Sequence, residues 1–118
     1  MGKHPVHLGL PIKIFQKERF VREVLDQRGL SRQMAANPII GDSRKKGIRI
    51  TDVSRNSFFE RIGLTEGDVI QRVVGESVST TEELIQTLVG ALQDGAKIIM
   101  IDRLRKDQRI DPIYIHLQ

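Results

Sequence analysis

The chain is 118 residues long, the length of about one domain, because a single core takes roughly 100 to 200 residues. Hydrophobic residues make up 39% and aromatic ones only 4%, which predicts an aliphatic core of Ile, Leu and Val and excludes a wholly disordered chain. The lack of cysteine excludes disulfides, thiolate zinc sites and a cysteine nucleophile. The net charge of +4 comes from scattered Lys and Arg with one tight run at Arg44-Lys45-Lys46, without the interleaved aromatics that nucleic-acid binding needs.

Met1 to Ile14 carry Pro5 and Pro11 and no sustained period, so residues 1–14 read as a tail or lead-in. From Lys17 to Arg28 the apolar Phe20, Val21, Val24 and Leu25 form one stripe of an amphipathic helix, with Gly29 as its stop. Ser31 is placed to cap a second short helical turn through Ala36, and Pro38 ends it. After a turn containing the basic run, Gly47 to Val53 alternate as a strand, with Ile48, Ile50 and Val53 toward a buried face.

Ser54 to Ile62 read as a connection ending in a helical turn, supplied by Phe58, Phe59 and Ile62 and stopped by Gly63. Asp68 to Val74 follow as a strand. Thr80-Thr81-Glu82-Glu83 is a capping box that opens a helix carrying Leu84, Ile85, Leu88 and Leu92 and ending near Asp94-Gly95. Two closing strands, Ile98 to Ile101 and Ile113 to Leu117, flank a charged turn from Arg103 to Gln108, and Pro112 suits a strand start or an edge.

Little of this points to catalysis. His4, His7 and His116 are dispersed; the His4/His7 pair has i, i+3 spacing but lies in the lead-in, so no metal site is expected. Gly41-Asp42-Ser43 is similar to the nucleophile segment of trypsin-like proteases, yet Arg44 stands where that motif needs glycine. Phosphate, dinucleotide and zinc-protease motifs are missing. The paired carboxylates, Glu82 with Glu83 and Asp102 with Asp107 and Asp111, suit a helix N-terminus and an exposed hairpin. The chain is therefore expected to be no enzyme and to use no cofactor.

The most informative run is Gly63-Leu64-x-x-Gly67-Asp68-x-Ile70, followed by a short strand, a turn at Gly75 and the Glu82-Glu83-Leu84 helix. Gly67 permits the turn and Asp68 can tie backbone amides before the strand begins. This layout resembles PDZ domains of the bacterial, protease-associated kind from about Ile39 to Leu117. Phe58-Phe59-x-x-Ile62-Gly63-Leu64, together with Gly47-Ile48-Arg49-Ile50 and the helix before it, is similar to protein C of type II secretion systems (the general secretion pathway), which carries the likeness back to Phe15. Val74, where that family has asparagine, and Asp107, where it has glycine, depart from the pattern.

The resemblance implies an α+β, PDZ-like, partly open barrel of about five strands and two helices, preceded by one or two short helices. It divides 15–118 into a helical lead-in at 15–37 and a PDZ core at 38–118. It also implies a non-catalytic module that binds secreted substrates, secretin or other secretion proteins, in the periplasm, attached to the inner membrane only through an anchor upstream. The alternative is the substrate-recruiting or regulatory PDZ domain of a membrane-associated or periplasmic protease; an adaptor that takes up no free peptide is a third reading. A ligand strand is expected beside Gly47, Ile48, Arg49, Ile50 and Thr51, against a helix wall of Thr81, Ile85 and Leu88. Lys45 and Lys46 are expected as contacts for a carboxylate, and no nucleic acid or metal is expected.

Overall fold

The computed structural model describes residues 12–39 and 47–118. In chain order its elements are β1 (Ile12–Phe15), α1 (Lys17–Leu25), α2 (Gln27–Ser31), β2 (Met34–Pro38), β3 (Ile48–Val53), α3 (Phe58–Arg61), β4 (Val69–Val73), β5 (Glu76–Ser77), α4 (Thr81–Gln93), β6 (Ile98–Leu104) and β7 (Ile113–Leu117). The class is α+β, as the sequence indicates. The sheet has seven strands rather than about five, in the order β1-β7-β6-β4-β3-β2 with β5 attached to β4, and it is open at β1 and β2.

Three local expectations change. Ile12 to Ile14 are not tail: β1 runs parallel to β7, from Ile12 opposite Tyr114 to Phe15 opposite Leu117. Its Ile12-Lys13-Ile14 alternation is too short to mark a strand alone, and pairing with β7 fixes it. Gly29 does not stop a helix but lies inside α2, whose N-cap Asp26 accepts from the Gly29 amide. The turn expected from Ser31 through Ala36 is instead the strand β2, extended by pairing with β3 from Met34 opposite Val53 to Pro38 opposite Ile48.

Side-chain caps open α3 and α4. Thr80 Oγ1 accepts from Glu83 N at 3.0 Å, and Glu83 Oε1 accepts from Ser79 N at 2.8 Å, the reciprocal arrangement expected for α4. A second box, not foreseen, starts α3: Ser57 Oγ accepts from Glu60 N and Glu60 Oε1 accepts from Asn56 N. Phe58 N also donates to Gln33 Oε1, which ties α3 to the start of β2.

The core is one cluster in which α1 takes full part, since Phe20 and Val24 are wholly buried with Phe58, Phe59, Ile48, Ile70 and Ile99. The phenylalanines form a chain of tilted and edge-on contacts, Phe15 to Phe20 to Phe58 to Phe59, with ring centroids 5.7, 5.0 and 5.5 Å apart. The helices ahead of β2 are thus a wall of the domain.

A charged pair is buried in this setting. Asp68 is 1% exposed and Arg103 7%. Asp68 Oδ2 accepts from Thr65 N at 3.0 Å and Arg103 Nη1 at 3.2 Å, while Arg103 donates through Nε to Asp111 O at 2.9 Å, through Nη2 to Asp111 Oδ2 at 3.1 Å, and also to Gly63 O. Arg103 is therefore not part of a solvated turn. It follows Ile99 and Ile101 on the inward face of β6.

Two glycines are dictated by the chain path. Gly67, at φ +90, donates to Ile50 O at 2.8 Å, and a Cβ there would lie 3.0 Å from Lys106 Cδ. Gly47, at φ +142, would place a Cβ 2.5 Å from the Ile70 carbonyl oxygen, so β3 can approach β4 only without a side chain. At the β4–β5 turn Val74 takes φ 45 and Gly75 φ 82, so the valine stands in a region that suits asparagine, while its side chain packs against the core.

Gly67→Val is expected to cost about 1 to 3 kcal/mol, read as a lower urea midpoint, because a β-branched residue resists positive φ. An unchanged midpoint would refute the turn assignment. Arg103→Met is expected to cost about 3 kcal/mol by leaving the buried Asp68 carboxylate with only the longer 3.5 Å cation contact to Arg105 Nη1. Asp111→Asn, at a half-exposed site, should cost no more than about 1 kcal/mol. Equal losses for the two variants would show that burial of the Arg103–Asp68 pair does not control stability.

Candidate functional site

The strand expected to line the groove is interior to the sheet. Ile48 faces Pro38 of β2 on one side and Ile70 of β4 on the other, and Arg49 likewise sits between Asn37 and Val69. No further strand can add along that stretch. Ile48 and Ile50 are core, at 0% and 1% exposure, and Gly47 is buried against β4. Arg49 and Thr51 are exposed, and the Thr51 hydroxyl donates to Ala35 O at 3.1 Å, across the β2–β3 pair. Lys45 and Lys46 lie outside the described residues, as do His4, His7 and Gly41-Asp42-Ser43-Arg44.

The helix also differs from expectation. Ile85 and Leu88, expected as a ligand wall, are buried as fully as Leu84, because α1 and α2 pack on α4 from the side taken to be open. Thr81 is half-buried at the start of α4. Ile85 keeps one side on a shallow cleft of about 180 Å³ between α2 and α4, lined by Gln27, Arg28, Ser31, Glu82, Ile85 and Gln86. Across its mouth Gln86 Nε2 donates to Gln27 Oε1 at 2.7 Å. Its charged groups are of opposite sign, Arg28 on α2 and Glu82 on α4.

Among the described residues, β2 lies at the end of the sheet near α4, one strand over from the expected place. Ser54 N donates to Gln33 O, and Ile39 N donates to Gly47 O, so these alternate residues turn their backbone toward β3. By the period of two, Met34, Ala36 and Pro38 present theirs to the open edge. Met34 is buried, Ala36 is half-buried, and Ala35, Asn37 and Pro38 are exposed. β2 lies close to both α2 and α4, while the cleft itself is lined by residues of those two helices. Pro38 carried the available signal, since the residue before proline is driven to extended backbone and proline in a sheet favours an edge.

Among the described residues no group of three or more His, Cys, Asp or Glu is placed to hold a metal. Asp102 pairs with Arg72 at 2.9 Å and Asp111 with Arg103, so these carboxylates serve ion pairs.

The model of the PDZ domain family matches residues 21–91, from α1 into α4. Among solved structures, the PDZ domain of EpsC from Vibrio cholerae, residues 204–305, is similar at 19% identity over 85% of this chain and 90% of that one, with a TM-score of 0.52. A shorter piece of the same domain, residues 219–305, gives 20% identity over 74% and 97%, with a TM-score of 0.49. No curated protein sequence matches the chain. With a family model spanning more than half of its length, and with a short edge strand lying beside the capped helix, the chain belongs to the PDZ domain family of protein-interaction modules.

Proposed function

We propose that the chain is a non-catalytic module of a type II secretion apparatus that takes up an extended segment of another protein on the open edge of β2, against α4. The observation that carries the binding mode is that, among the described residues, Met34 to Pro38 pair with β3 alone and leave their other side open near α4. A strand added there gains main-chain hydrogen bonds at Met34 and Ala36, and its alternate side chains turn toward α4 or outward. Binding of this kind requires no cofactor.

The secretion setting is supported by Phe58-Phe59-x-x-Ile62-Gly63-Leu64 and its likeness to protein C, and by the fold likeness to the EpsC domain. In that setting the partners are secreted proteins or the secretin, and the module works in the periplasm, held to the inner membrane by a segment outside this chain. None of the described helices is long and apolar enough to cross a membrane.

Ala36→Pro tests the edge directly. It removes an N–H that faces the open side and leaves the donors toward β3 in place. The tagged chain is presented with secretin fragments and secreted proteins from its source, and affinity for a captured partner is measured by calorimetry. The substitution is expected to weaken that affinity by about tenfold, near 1.4 kcal/mol, with the circular dichroism spectrum retained. Full affinity in the folded variant would place the partner elsewhere on the domain.

A further inference from the structure

We infer that the chain pairs with a second copy of itself through β1, at the end of the strand order opposite β2. Among the described residues β1 pairs with β7 alone. Phe15 O accepts from Gln118 N and Lys17 N donates to Gln118 O, so the odd-numbered residues of this stretch turn their backbone toward β7. By the period of two, Ile12 and Ile14 turn their N–H and C=O groups to the open side.

The side chains beside that edge form an apolar face. The register sets Ile14 next to His116 and, one strand on, Ile98; it sets Ile12 next to Tyr114 and Met100. The alternate residues of the same strands, Ile99, Ile101, Ile113 and Ile115, belong to the core, so this face points outward. Ile14 and Ile98 are 63% and 61% exposed.

Charge and register select the occupant. No Asp, Glu, Lys or Arg stands in the two rows of this face, and in the row beyond them Arg72 and Asp102 answer each other at 2.9 Å. In a chain of net charge +4, two copies can meet on it without bringing bare cations together there. The strand also fits itself, because Ile12-Lys13-Ile14 reads the same in both directions. Antiparallel pairing about a two-fold axis between the two Lys13 residues sets Ile12 of each copy opposite Ile14 of the other. The outward main-chain groups of both isoleucines are then bonded, and the row of Ile98, His116 and Ile14 continues across the seam. Lys13 lies on the other face and leans over its own domain, where a Cβ on Gly63 would stand 3.0 Å from Lys13 Cε and 3.8 Å from Ile113 Cδ1. The joined sheet carries a β2 at each of its far ends, so two such strands are offered at once to a partner present in several copies.

The test uses the whole chain. Sedimentation equilibrium over a range of about 10 μM to 1 mM is expected to show the mass rising from monomer to dimer. Ile14→Arg is expected to raise the dissociation constant about tenfold or more, with the circular dichroism spectrum retained. Because the chain has no cysteine, one introduced thiol reports the register. Lys13→Cys faces its copy across the axis as a non-hydrogen-bonded pair, a spacing that a disulfide spans, and is expected to oxidise to a covalent dimer. Ile110→Cys, at a site 77% exposed and outside the seam, is expected to stay monomeric under the same oxidant. A monomeric mass throughout, a dimer that Ile14→Arg leaves intact, or cross-linking as fast at Ile110→Cys as at Lys13→Cys overturns the inference.

Discussion

The Asp68–Arg103 pair is the constraint on which the layout turns. Both charges are withdrawn from water, so each must be fully answered by protein groups, and the groups that answer come from separate parts of the chain. Thr65 and Gly63 belong to the connection after α3, Asp111 precedes β7, and Arg105 Nη1 also reaches Asp68, at 3.5 Å. The same turn reaches β3, since Ile50 N donates to Asp68 O and Gly67 N to Ile50 O, both at 2.8 Å. The position of β3 relative to β4 and β6 is thereby fixed, and β2, which among the described residues pairs with β3 alone, inherits its place beside α4 from that arrangement.

The legible elements were those with strong local signals. α1 and α4 show helical stripes, α4 has its capping box, and β3, β6 and β7 alternate or run apolar; all appear where expected, though α1 ends at Leu25, short of Arg28, and β6 runs past Ile101 to Leu104. β2 and β5 escaped because they carry almost no alternation, and β1 because its Ile12-Lys13-Ile14 alternation is only three residues long. Their extended backbone is imposed by a neighbouring strand, and such pairing leaves no period in the sequence. Arg103 escaped for a different reason. The alternation of Ile99 and Ile101 continues through it, but charge argues for solvent unless a partner such as Asp68 is known to face it.

The outer position in the sheet moves for the same cause as β2: residues 31–36 suggest a helical turn, so the resemblance puts the groove strand at Gly47 to Thr51, whereas β2 takes the place outside it. The apolar stripe of α4 can be covered by a ligand or by the core. In the fold, α1 and α2 supply that cover, and Ile85 and Leu88 are core. Periodicity along a helix reports which faces are covered and cannot report by what.

The parallel seam between β1 and β7 has a mechanical consequence. Whatever precedes Ile12 pulls along β1, and β1 is fastened from Ile12 opposite Tyr114 to Phe15 opposite Leu117, with Gln118 N donating to Phe15 O and Lys17 N to Gln118 O just beyond. Because the two strands run in the same direction, tension on β1 loads this row of bonds together in shear instead of opening them one at a time like a hairpin. A load applied to β1 would pass through β7 and β6 into the centre of the sheet before it reached β2 at the far end of the strand order.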